Sequence, residues 1–158
     1  MNTDRWDNFF MKLARDHAEM SKDPSTKIGA VIGHGKQFVS GGYNGFPDTI
    51  YDDPEILNDR VMKYKHIVHA EVNAINRAAK IGYDLSGCSL YLWSNSGVVL
   101  PCVECAKFIV KSGLAAVVYE YKEVPERWKE RFVMARGILT YEGINLRGRE
   151  PLKNKENK

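Results

Sequence analysis

Two short motifs, about 30 residues apart, constrain how this chain can fold. They read His69-Ala70-Glu71 and Pro101-Cys102-Val103-Glu104-Cys105. Zinc prefers nitrogen and thiolate ligands in a tetrahedron, and a catalytic zinc keeps one position open for water. The histidine of the first motif and the two cysteines of the second are three ligands of this kind. The sequence therefore predicts a fold that brings His69, Cys102 and Cys105 to one zinc ion.

The other residues of the motifs fit hydrolysis at such an ion. Zinc lowers the pKa of a bound water from ~15.7 to roughly 7, so hydroxide is available at neutral pH. Glu71 follows His69 by two residues and is predicted to carry protons rather than to bind the metal. A carboxylate beside the metal can take the proton of the bound water and donate it to a reacting group. A helix that begins at the two cysteines would favour thiolates, and Pro101 suits its start.

The cysteines have a second interpretation. A C-x-x-C pair also occurs in redox proteins of the thioredoxin type, but a redox pair would leave His69-Ala70-Glu71 without a role. Cys88 has no partner at ligand spacing and is predicted to be a buried apolar residue. Glu104, between the two cysteines, is predicted to be a solvated helix residue.

The composition is that of a globular protein and indicates neither a nucleic-acid nor a membrane partner. A length of 158 residues favours one domain, predicted over 1–148, with a disordered polar tail at 149–158. The net charge is +3, and five Lys or Arg residues lie from Arg147 onwards, so the body offers no basic surface for nucleic acid. Three cysteines favour a reducing compartment. No leader or membrane-spanning run is present, so a cytoplasmic protein without a membrane partner is expected.

Hydrophobic periodicity predicts helices that alternate with strands. The predicted helices are Asp4–Met20, His69–Lys80, one from the cysteines to about Gly113, and one from Pro125 to just before Gly137 with Trp128, Phe132, Val133 and Ala135 inward. The predicted strands are Lys27–Ile32, Gln37–Gly42, Ser89–Trp93, Ala115–Tyr121 and Ile138–Tyr141. This order predicts a three-layer α/β/α sandwich, with a mixed five-stranded sheet covered by helices on both faces.

Two segments do not fit regular elements. Gly41–Pro47 is too rich in glycine to continue a strand, and it is either a simple turn or a functional loop. Asp48–Lys65 is polar and is predicted to be an extended loop with a short helix. Long loops in compact domains often have a function, so this segment is a candidate binding lid.

The chain resembles the deoxycytidylate (dCMP) deaminase family of the cytidine deaminase-like superfamily. H-x-E followed by P-C-x-x-C is the signature of zinc-dependent nucleobase deaminases. The resemblance covers roughly Trp6 to Tyr121, and it includes further elements: Trp6 with Phe9–Met11 and Ala14, Ser21–Pro24, Gly29–Val31, Gly42-Tyr43-Asn44-Gly45, Lys63-Tyr64, and the run Val68–Glu71 with Asn73–Ile75.

This resemblance implies an activity and a form of regulation. The activity is zinc-dependent hydrolysis of dCMP to dUMP and ammonia, a step towards thymidylate. The family is regulated by nucleotides: dCTP activates and dTTP inhibits, with Mg²⁺ on the triphosphate. The resemblance also implies a homo-oligomer, with a hexamer favoured.

Site residues beyond the motifs are likewise implied by the resemblance. The 5′-phosphate of the substrate is assigned to Ser21 and Lys27, and its sugar to Asn44. Ala70, Pro101 and Tyr121 complete the expected substrate contacts. The expected effector site consists of Gly42, Tyr43, Asn44, Gly45, Lys63 and Tyr64.

Two departures from the family pattern leave alternatives open. Trp93–Leu100 is longer than the usual approach to the cysteines and lacks its threonine, and Lys122–Arg149 matches only loosely. Activity on dCTP as well, or on tRNA adenosine, guanine or a riboflavin precursor, therefore remains an alternative. A catalytically silent module that binds zinc and nucleotide is a further one, but a structural zinc needs four protein ligands and no Glu71.

Overall fold

The computed structural model describes residues 3–47, 52–96 and 100–151. The elements follow in this order: α1 Thr3–Glu19, β1 Ile28–His34, β2 Gln37–Tyr43, α2 Pro54–Asn58, α3 Arg60–His66, α4 Ala70–Lys80, β3 Ser89–Ser94, α5 Val103–Ser112, β4 Ala116–Glu120, α6 Glu126–Tyr141 and β5 Asn145–Arg149. Most of the predicted elements are present within one or two residues of their predicted ends. No described helix is both long enough and apolar enough to cross a bilayer.

The strands form one mixed sheet in the order β2-β1-β3-β4-β5. β1 pairs antiparallel with β2 and with β3, whereas β3, β4 and β5 run parallel. Each parallel pair is joined by a helix, because only a crossover connection can return the chain to the same end of the sheet. The predicted three-layer α/β/α fold is confirmed.

Alternate residues of the central strands face the two helical layers. Val31, Tyr91 and Val118 pack against α1 on one face. Their neighbours along the same strands belong to the larger core on the other face, which also includes residues of α4, α5 and α6: Ala30, Ile32, Leu90, Leu92 and Val117. The sheet is therefore buried on both sides, as its near-continuous apolar strands indicate.

Helices α4 and α5 begin at the same edge of the sheet. The chain turns back from the C-terminus of α4 into β3, so the N-terminus of α4 lies near the C-terminal end of β3. Helix α5 starts just after that end of β3. The two helices also contact each other. Residues 69 and 102, which precede them, are their N-caps. This topology brings the two sequence motifs together.

The C-terminal part of the chain differs from its prediction. Helix α6 runs without a break from Glu126 to Tyr141, so its predicted end before Gly137 and the predicted strand Ile138–Tyr141 are wrong. A methyl group added to Gly137 would meet no atom within 4 Å, so this glycine lies on open surface and does not interrupt the helix. The last strand is β5 instead. Its final residue, Arg149, pairs with Glu120, so the sheet includes one residue of the predicted tail.

The buried face of α6 explains this continuity. Phe132, Ala135 and Leu139 are buried at spacings of three and four residues, which is the period of one helical face. Val133, predicted to point inward, is 70% exposed. The apolar stripe thus continues past Gly137 and keeps the whole segment helical.

The segment before α4 contains two short helices, α2 and α3, where one had been predicted. Asp53 and Asp59 cap them by accepting hydrogen bonds from backbone N–H groups of their first turns. Residues 48–51 of this predicted lid lie outside the described residues, as do 97–99 of the long Trp93–Leu100 loop and 152–158 of the predicted tail.

A buried carboxylate links the two ends of the chain to its centre. Asp7 of α1 accepts hydrogen bonds from both terminal nitrogens of Arg147 in β5, at 2.7 and 3.1 Å. It also accepts one from the hydroxyl of Tyr91 in β3, at 2.8 Å. Bidentate contacts between arginine and carboxylate combine strength with fixed geometry, so this network holds α1 and β5 in register with the central strand.

Candidate active site

His69, Cys102 and Cys105 converge where α4 and α5 begin. Nδ1 of His69 lies 3.5 Å from Sγ of Cys102 and 3.3 Å from Sγ of Cys105. The three ligand atoms all lie within 4.8 Å of one another, and no other group of three such side chains is found among the described residues. The predicted ligand set is thus one cluster.

The spacing of these atoms fits zinc. Bonds of ~2.05 Å to nitrogen and ~2.3 Å to sulfur, at a tetrahedral angle, place nitrogen and sulfur about 3.6 Å apart. Both observed separations are close to this value. Three ligands from one histidine and two cysteines leave the fourth position of the tetrahedron open, as a catalytic site requires.

Helix geometry prepares the cysteines to be thiolates. Cys102 is the N-cap of α5, and its sulfur accepts a hydrogen bond from the backbone N–H of Cys105 at 3.4 Å. Among the protein groups alone, the contacts with Cys105 and His69 outweigh burial and lower the pKa of Cys102 to about 4. A thiolate is the form that binds metal, so the cap position already favours the ligand state.

Glu71 lies in the first turn of α4 and is only 2% exposed. Its Oε2 atom is buried and has no hydrogen-bond partner among the described residues. Burial raises the pKa of Glu71, although the charge of His69 opposes this effect. A buried carboxylate with an unused oxygen and a raised pKa, next to a metal site, is suited to accept and donate protons.

A cavity of about 600 Å³ opens above this cluster. His69, Glu71 and Cys102 belong to its lining. Other parts of the wall come from the loop before β1, the end of β2, α3 and the first half of α6. The volume lies within the usual range for small-molecule sites, roughly 300–1,000 Å³. The metal-ligating atoms thus face a space that can hold a substrate.

Asn44 lines this cavity and also supports its wall. Its side-chain amide donates to the carbonyl of Thr26 at 2.7 Å and accepts from the N–H of Ile28 at 2.8 Å. Ser21 is buried behind it and donates from its hydroxyl to the carbonyl of Asn44 at 2.7 Å. Ser21 is not part of the cavity lining, so it supports Asn44 and does not face the cavity.

The other expected substrate contacts are spread around the site. Ala70 and Pro101, which flank the ligands, are fully buried. Lys27 donates its backbone N–H to Asn95 and does not line the cavity. Tyr121 is exposed and packs on Tyr119. The structure does not bring Lys27 or Tyr121 to the cavity.

Lys63 lines the cavity but is not a free charge. It is 7% exposed, and its ammonium lies 3.1 Å from Oδ1 of Asp23 and 3.1 Å from the hydroxyl of Ser25. Burial raises the pKa of Asp23, but hydrogen bonds from the N–H groups of Ser25 and Thr26 and from Lys63 outweigh burial and hold that pKa below its usual value. This ion pair ties α3 to the loop before β1.

The residues expected to form one effector site are divided between two cavities. Asn44, Lys63 and Tyr64 line the large cavity. Tyr43 and Gly45 line a separate cavity of about 210 Å³. Gly42 has a packing role, because a methyl group there would lie 2.6 Å from the carbonyl oxygen of Ala70 in α4.

Several cavity residues had not been predicted from the sequence. They are Arg60 of α3, Arg127, Trp128, Arg131 and Phe132 of α6, and Leu100 before the cysteines. Trp128 and Phe132 had been predicted to point inward, but only as core residues. A signal exists in the sequence, since Arg127 and Arg131 are four residues apart and therefore share one helix face.

A family model described as "Cytidine and deoxycytidylate deaminase zinc-binding region" matches residues 4–121. The chain belongs to this deaminase family. The match spans both predicted zinc motifs, and the resemblance to this zinc-binding deaminase family is confirmed.

Named relatives of the deaminase agree with this assignment. Deoxycytidylate deaminase of Homo sapiens is 37% identical over 145 residues, covering 86% of this chain and 78% of that protein. The deoxycytidylate deaminase of Mus musculus is 34% identical over 148 residues, covering 90% of this chain and 78% of that protein. The dCMP deaminase of cyanophage S-TIM5, in its apo form, has the same fold with a TM-score of 0.69 and 21% identity, covering 94% of this chain and 100% of that one. The structure of that phage enzyme in complex with dCMP and dUMP has a TM-score of 0.67 and 21% identity, covering 90% of this chain and 95% of that one.

Proposed function

We propose that this deaminase hydrolyses dCMP to dUMP and ammonia. The observation that carries the proposal is the buried Oε2 atom of Glu71, which has no partner among the described residues and lies beside three zinc ligands in the lining of a cavity. A structural zinc site would need a fourth protein ligand and no such carboxylate. The names of the human and mouse relatives support dCMP as the substrate.

The chain's own residues would supply binding and proton transfer. Zinc, held by His69, Cys102 and Cys105, supplies Lewis acidity that activates water at neutral pH. Oε2 of Glu71 accepts the proton of that water and passes it to the ring nitrogen N3. As the water oxygen bonds to C4, the same carboxylate oxygen carries the second water proton to the exocyclic amine, and the C4–N bond breaks to release ammonia. One buried carboxylate can perform these transfers in sequence because each changes its protonation by one proton.

The remaining substrate contacts are proposed according to whether each residue lies at the cavity. Asn44 is proposed to contact the deoxyribose, since it lines the cavity next to the site. Ala70 and Pro101 are proposed to shape the base pocket through their backbone groups. Ser21 and Lys27 would act on the substrate only indirectly, through Asn44 and the loop before β1. Tyr121 would need to turn towards the cavity to take part.

Ammonia release by the zinc-loaded protein tests the proposed reaction. dCMP, dCTP and deoxycytidine are compared, with Glu71→Gln as the inactive control. Turnover of dCMP that is absent from the control supports the proposal, and comparable turnover of dCTP would broaden the substrate range. If no cytosine compound is deaminated, the reaction assigned here is wrong, and tRNA adenosine and guanine become the next substrates to assay.

Regulation by nucleotides is proposed on the resemblance to the dCMP deaminases. dCTP would activate and dTTP would inhibit, each with Mg²⁺ on its triphosphate. Tyr43 and Gly45, two of the residues that the resemblance assigns to the effector, line the smaller cavity. Rates of dCMP turnover measured with either triphosphate, with and without Mg²⁺, test this regulation. Equal rates under all conditions would contradict it.

A homohexamer in the cytoplasm is also proposed, with residues 1–148 acting as one deaminase domain. Exposed apolar side chains on α6 supply a surface that a second copy would cover: Val133, Met134 and Tyr141. Sedimentation of the zinc-loaded protein should give six times the chain mass of 18.0 kDa. A monomer at micromolar concentration would contradict the assembly. The three free cysteines agree with a reducing compartment.

A further inference from the structure

The peptide group that joins Tyr43 to Asn44 is held at both of its polar atoms. Its N–H, which belongs to Asn44, donates to the carbonyl of Ile28 in β1 at 3.2 Å. Its carbonyl, which belongs to Tyr43, accepts a hydrogen bond from the side-chain amide of Asn73 at 2.8 Å. Asn73 is a residue of α4, the helix whose first turn carries Glu71. The backbone at a cavity residue is thus tied directly to the helix of the proposed proton carrier.

A second side chain of α4 holds the same end of β2. The guanidinium of Arg77 donates to the carbonyl of Gly41 at 2.7 Å and lies 5.6 Å from the ring centre of Tyr43. Asn73 follows His69 by four residues, and Arg77 follows Asn73 by four, so the three lie on one side of the helix. The side of α4 that begins with a proposed zinc ligand therefore continues with two contacts to β2.

The place of β2 in the sheet explains why these carbonyl groups need donors from α4. Among the described strands β2 pairs with β1 alone, and alternate carbonyl groups of an edge strand point away from the neighbouring strand. Gly41 and Tyr43 are two residues apart, so their carbonyl groups point to the same side. Asn73 and Arg77 supply the donors that a further strand would otherwise supply.

The residue after Asn44 is tied to the first zinc motif by backbone hydrogen bonds. The N–H of Gly45 donates to the carbonyl of Val68 at 3.1 Å, and the N–H of Val68 donates to the carbonyl of Gly45 at 2.7 Å. Val68 directly precedes His69. Asn44 is therefore flanked on one side by a contact with α4 and on the other by the residue before a proposed metal ligand.

The side chain of Asn44 keeps one defined donor for a ligand. Its oxygen accepts from the N–H of Ile28 and its nitrogen donates to the carbonyl of Thr26, so these partners fix the orientation of the amide. An amide nitrogen has two N–H groups, and the second has no partner among the residues that the structure describes. Asn44 lines the cavity that Glu71 also lines. A displacement of the peptide group before Asn44 would move this donor relative to Glu71.

We infer that Asn73 and Arg77 are positioning residues, which hold the end of β2 so that the amide of Asn44 keeps one place relative to Glu71. The inference rests on the proposed function, in which Asn44 contacts the deoxyribose. Neither Asn73 nor Arg77 is part of the cavity lining, so each acts through the backbone of β2. Their loss should weaken the binding of substrate and leave the proton transfers of Glu71 intact.

Steady-state kinetics of Asn73→Ala test this separation. The variant removes the donor to Tyr43, and alanine favours the helix. We expect KM for dCMP to rise by about 10-fold, the usual order for one lost hydrogen bond, while kcat stays close to that of the wild type. The Kd of dUMP, measured by calorimetry, should rise in parallel. Asn76→Ala replaces an exposed asparagine of the same helix and should leave all three constants unchanged.

A double-mutant cycle tests whether Asn73 acts through Asn44. Asn44→Ala removes the proposed contact with the deoxyribose, so the addition of Asn73→Ala should raise KM and the Kd of dUMP no further. A residue that only stabilised the fold would lower the unfolding midpoint, and its effect on KM would not depend on Asn44. Asn44→Ser takes the place of Asn44→Ala if the latter does not retain zinc.

Arg77 provides an independent form of the same experiment. Arg77→Met keeps the length of the side chain without the guanidinium, and it should raise KM with little change in kcat. Lys80→Met, at an exposed cation of the same helix, is the matched control. Zinc content and the unfolding midpoint establish that each variant is folded, and Arg77→Met carries the comparison if Asn73→Ala is not.

The outcomes separate this inference from the proposed function. If the wild type deaminates no cytosine compound, the proposed function is wrong, and the cycle measured with dUMP decides the inference; a wild type that does not bind dUMP either would refute both. If dCMP is deaminated but KM is unchanged in Asn73→Ala and Arg77→Met, or the cycle is additive, the function stands and the inference is refuted. A fall in kcat at constant KM would also refute it, because the two residues would then act on Glu71.

Discussion

Glu71 and the three proposed zinc ligands differ in where each residue lies in its helix. His69 and Cys102 are N-caps, so their side chains extend beyond the ends of α4 and α5. Glu71 and Cys105 follow within the first turns, where they are buried. The start of each helix thus contributes two residues, two or three positions apart in sequence, to the same site. Replacing a metal ligand and replacing the carboxylate should therefore have different effects.

Glu71→Gln and Cys102→Ala should separate proton transfer from metal binding. Glu71→Gln keeps the ligand set, so it should bind zinc as the wild type does but lose activity by about 10²–10⁴-fold, the usual contribution of general acid–base catalysis. Cys102→Ala removes a ligand and should lose the metal itself. Metal analysis and ammonia release measure both effects. A near-normal rate in Glu71→Gln would mean that another group carries the protons.

The Asp23–Lys63 ion pair predicts how stability depends on pH. The pKa of Asp23 is lowered in the folded protein, so its stabilising contribution is complete above the pKa of an unfolded aspartate and is lost as the pH falls through the lower folded pKa. At pH 7, Asp23→Asn should lower the free energy of unfolding by about 1.5–3 kcal/mol.

Urea unfolding of the wild type and Asp23→Asn from pH 7 to pH 3 measures this contribution. The difference between the two proteins should be constant near neutral pH and shrink as the pH falls below about 4. Asp16→Asn, on the exposed face of α1, serves as the control because it removes a surface carboxylate. A difference that grows as the pH falls would contradict the assigned direction of the shift.

At the scale of elements, the position of α4 depends on a glycine of the neighbouring strand. A methyl group on Gly42 of β2 would lie 2.6 Å from the carbonyl oxygen of Ala70 and 2.6 Å from the nitrogen of Ala74. Both contacts are with backbone atoms, which cannot rotate away. Small residues on the facing side of α4 complete this close approach: Ala70, Ala74 and Ala78. The first turn of α4 carries Glu71, so the packing of β2 fixes the position of the proposed proton carrier.

Gly42→Ala should therefore destabilise the protein and disturb the site. Overpacking of this kind costs about 1–3 kcal/mol, and α4 would have to move away from the sheet. The matched control is Gly137→Ala on the open surface of α6, which should stabilise the protein by about 0.5–1 kcal/mol. Unfolding midpoints and zinc affinity measure both changes. Equal stability of the two variants would contradict the close packing of β2 on α4.

The elements that sequence patterns predicted are those whose signals are local. α1, α4 and α5 have a clear apolar period, and the strands are short apolar runs between turns. The prediction failed at Gly137 and Ile138–Tyr141 because glycine and β-branched residues favour a helix end and a strand when considered alone. Burial of Leu139 against the core overrides these preferences. No local pattern contains that information.

At the scale of the whole molecule, the zinc site joins two helices that are separated in sequence by β3. A zinc ion held by both helices would stabilise the packing of α4 against α5, in addition to its proposed role in chemistry. The convergence of His69, Cys102 and Cys105 could be predicted from the sequence because the spacing within each motif is fixed. The place of Arg127 and Arg131 in the cavity lining could not, since it depends on how α6 lies over the cavity.

Removal of zinc should lower the stability of the whole domain. A metal present at 100 times its Kd contributes ~2.7 kcal/mol, which corresponds to roughly 5–10 °C in Tm for a domain of this size. Thermal unfolding with and without a chelator measures the effect. Cys102→Ala should melt at the same lower temperature in both conditions. A wild type whose Tm is insensitive to chelation would show that zinc does not hold α4 and α5 together.

The contact of Asp7 with Tyr91 and Arg147 has a consequence for the order in which the chain is synthesised. Asp7 is made before Arg147, which lies 140 positions later in the sequence. Until β5 is complete, the aspartate must stay hydrated or be buried without its cation. A chain terminated before Arg147 would retain every zinc ligand and Glu71, yet it would lack the charge that allows α1 to close over the sheet. Premature termination should therefore produce a protein that carries every residue proposed for the site but is removed by proteolysis.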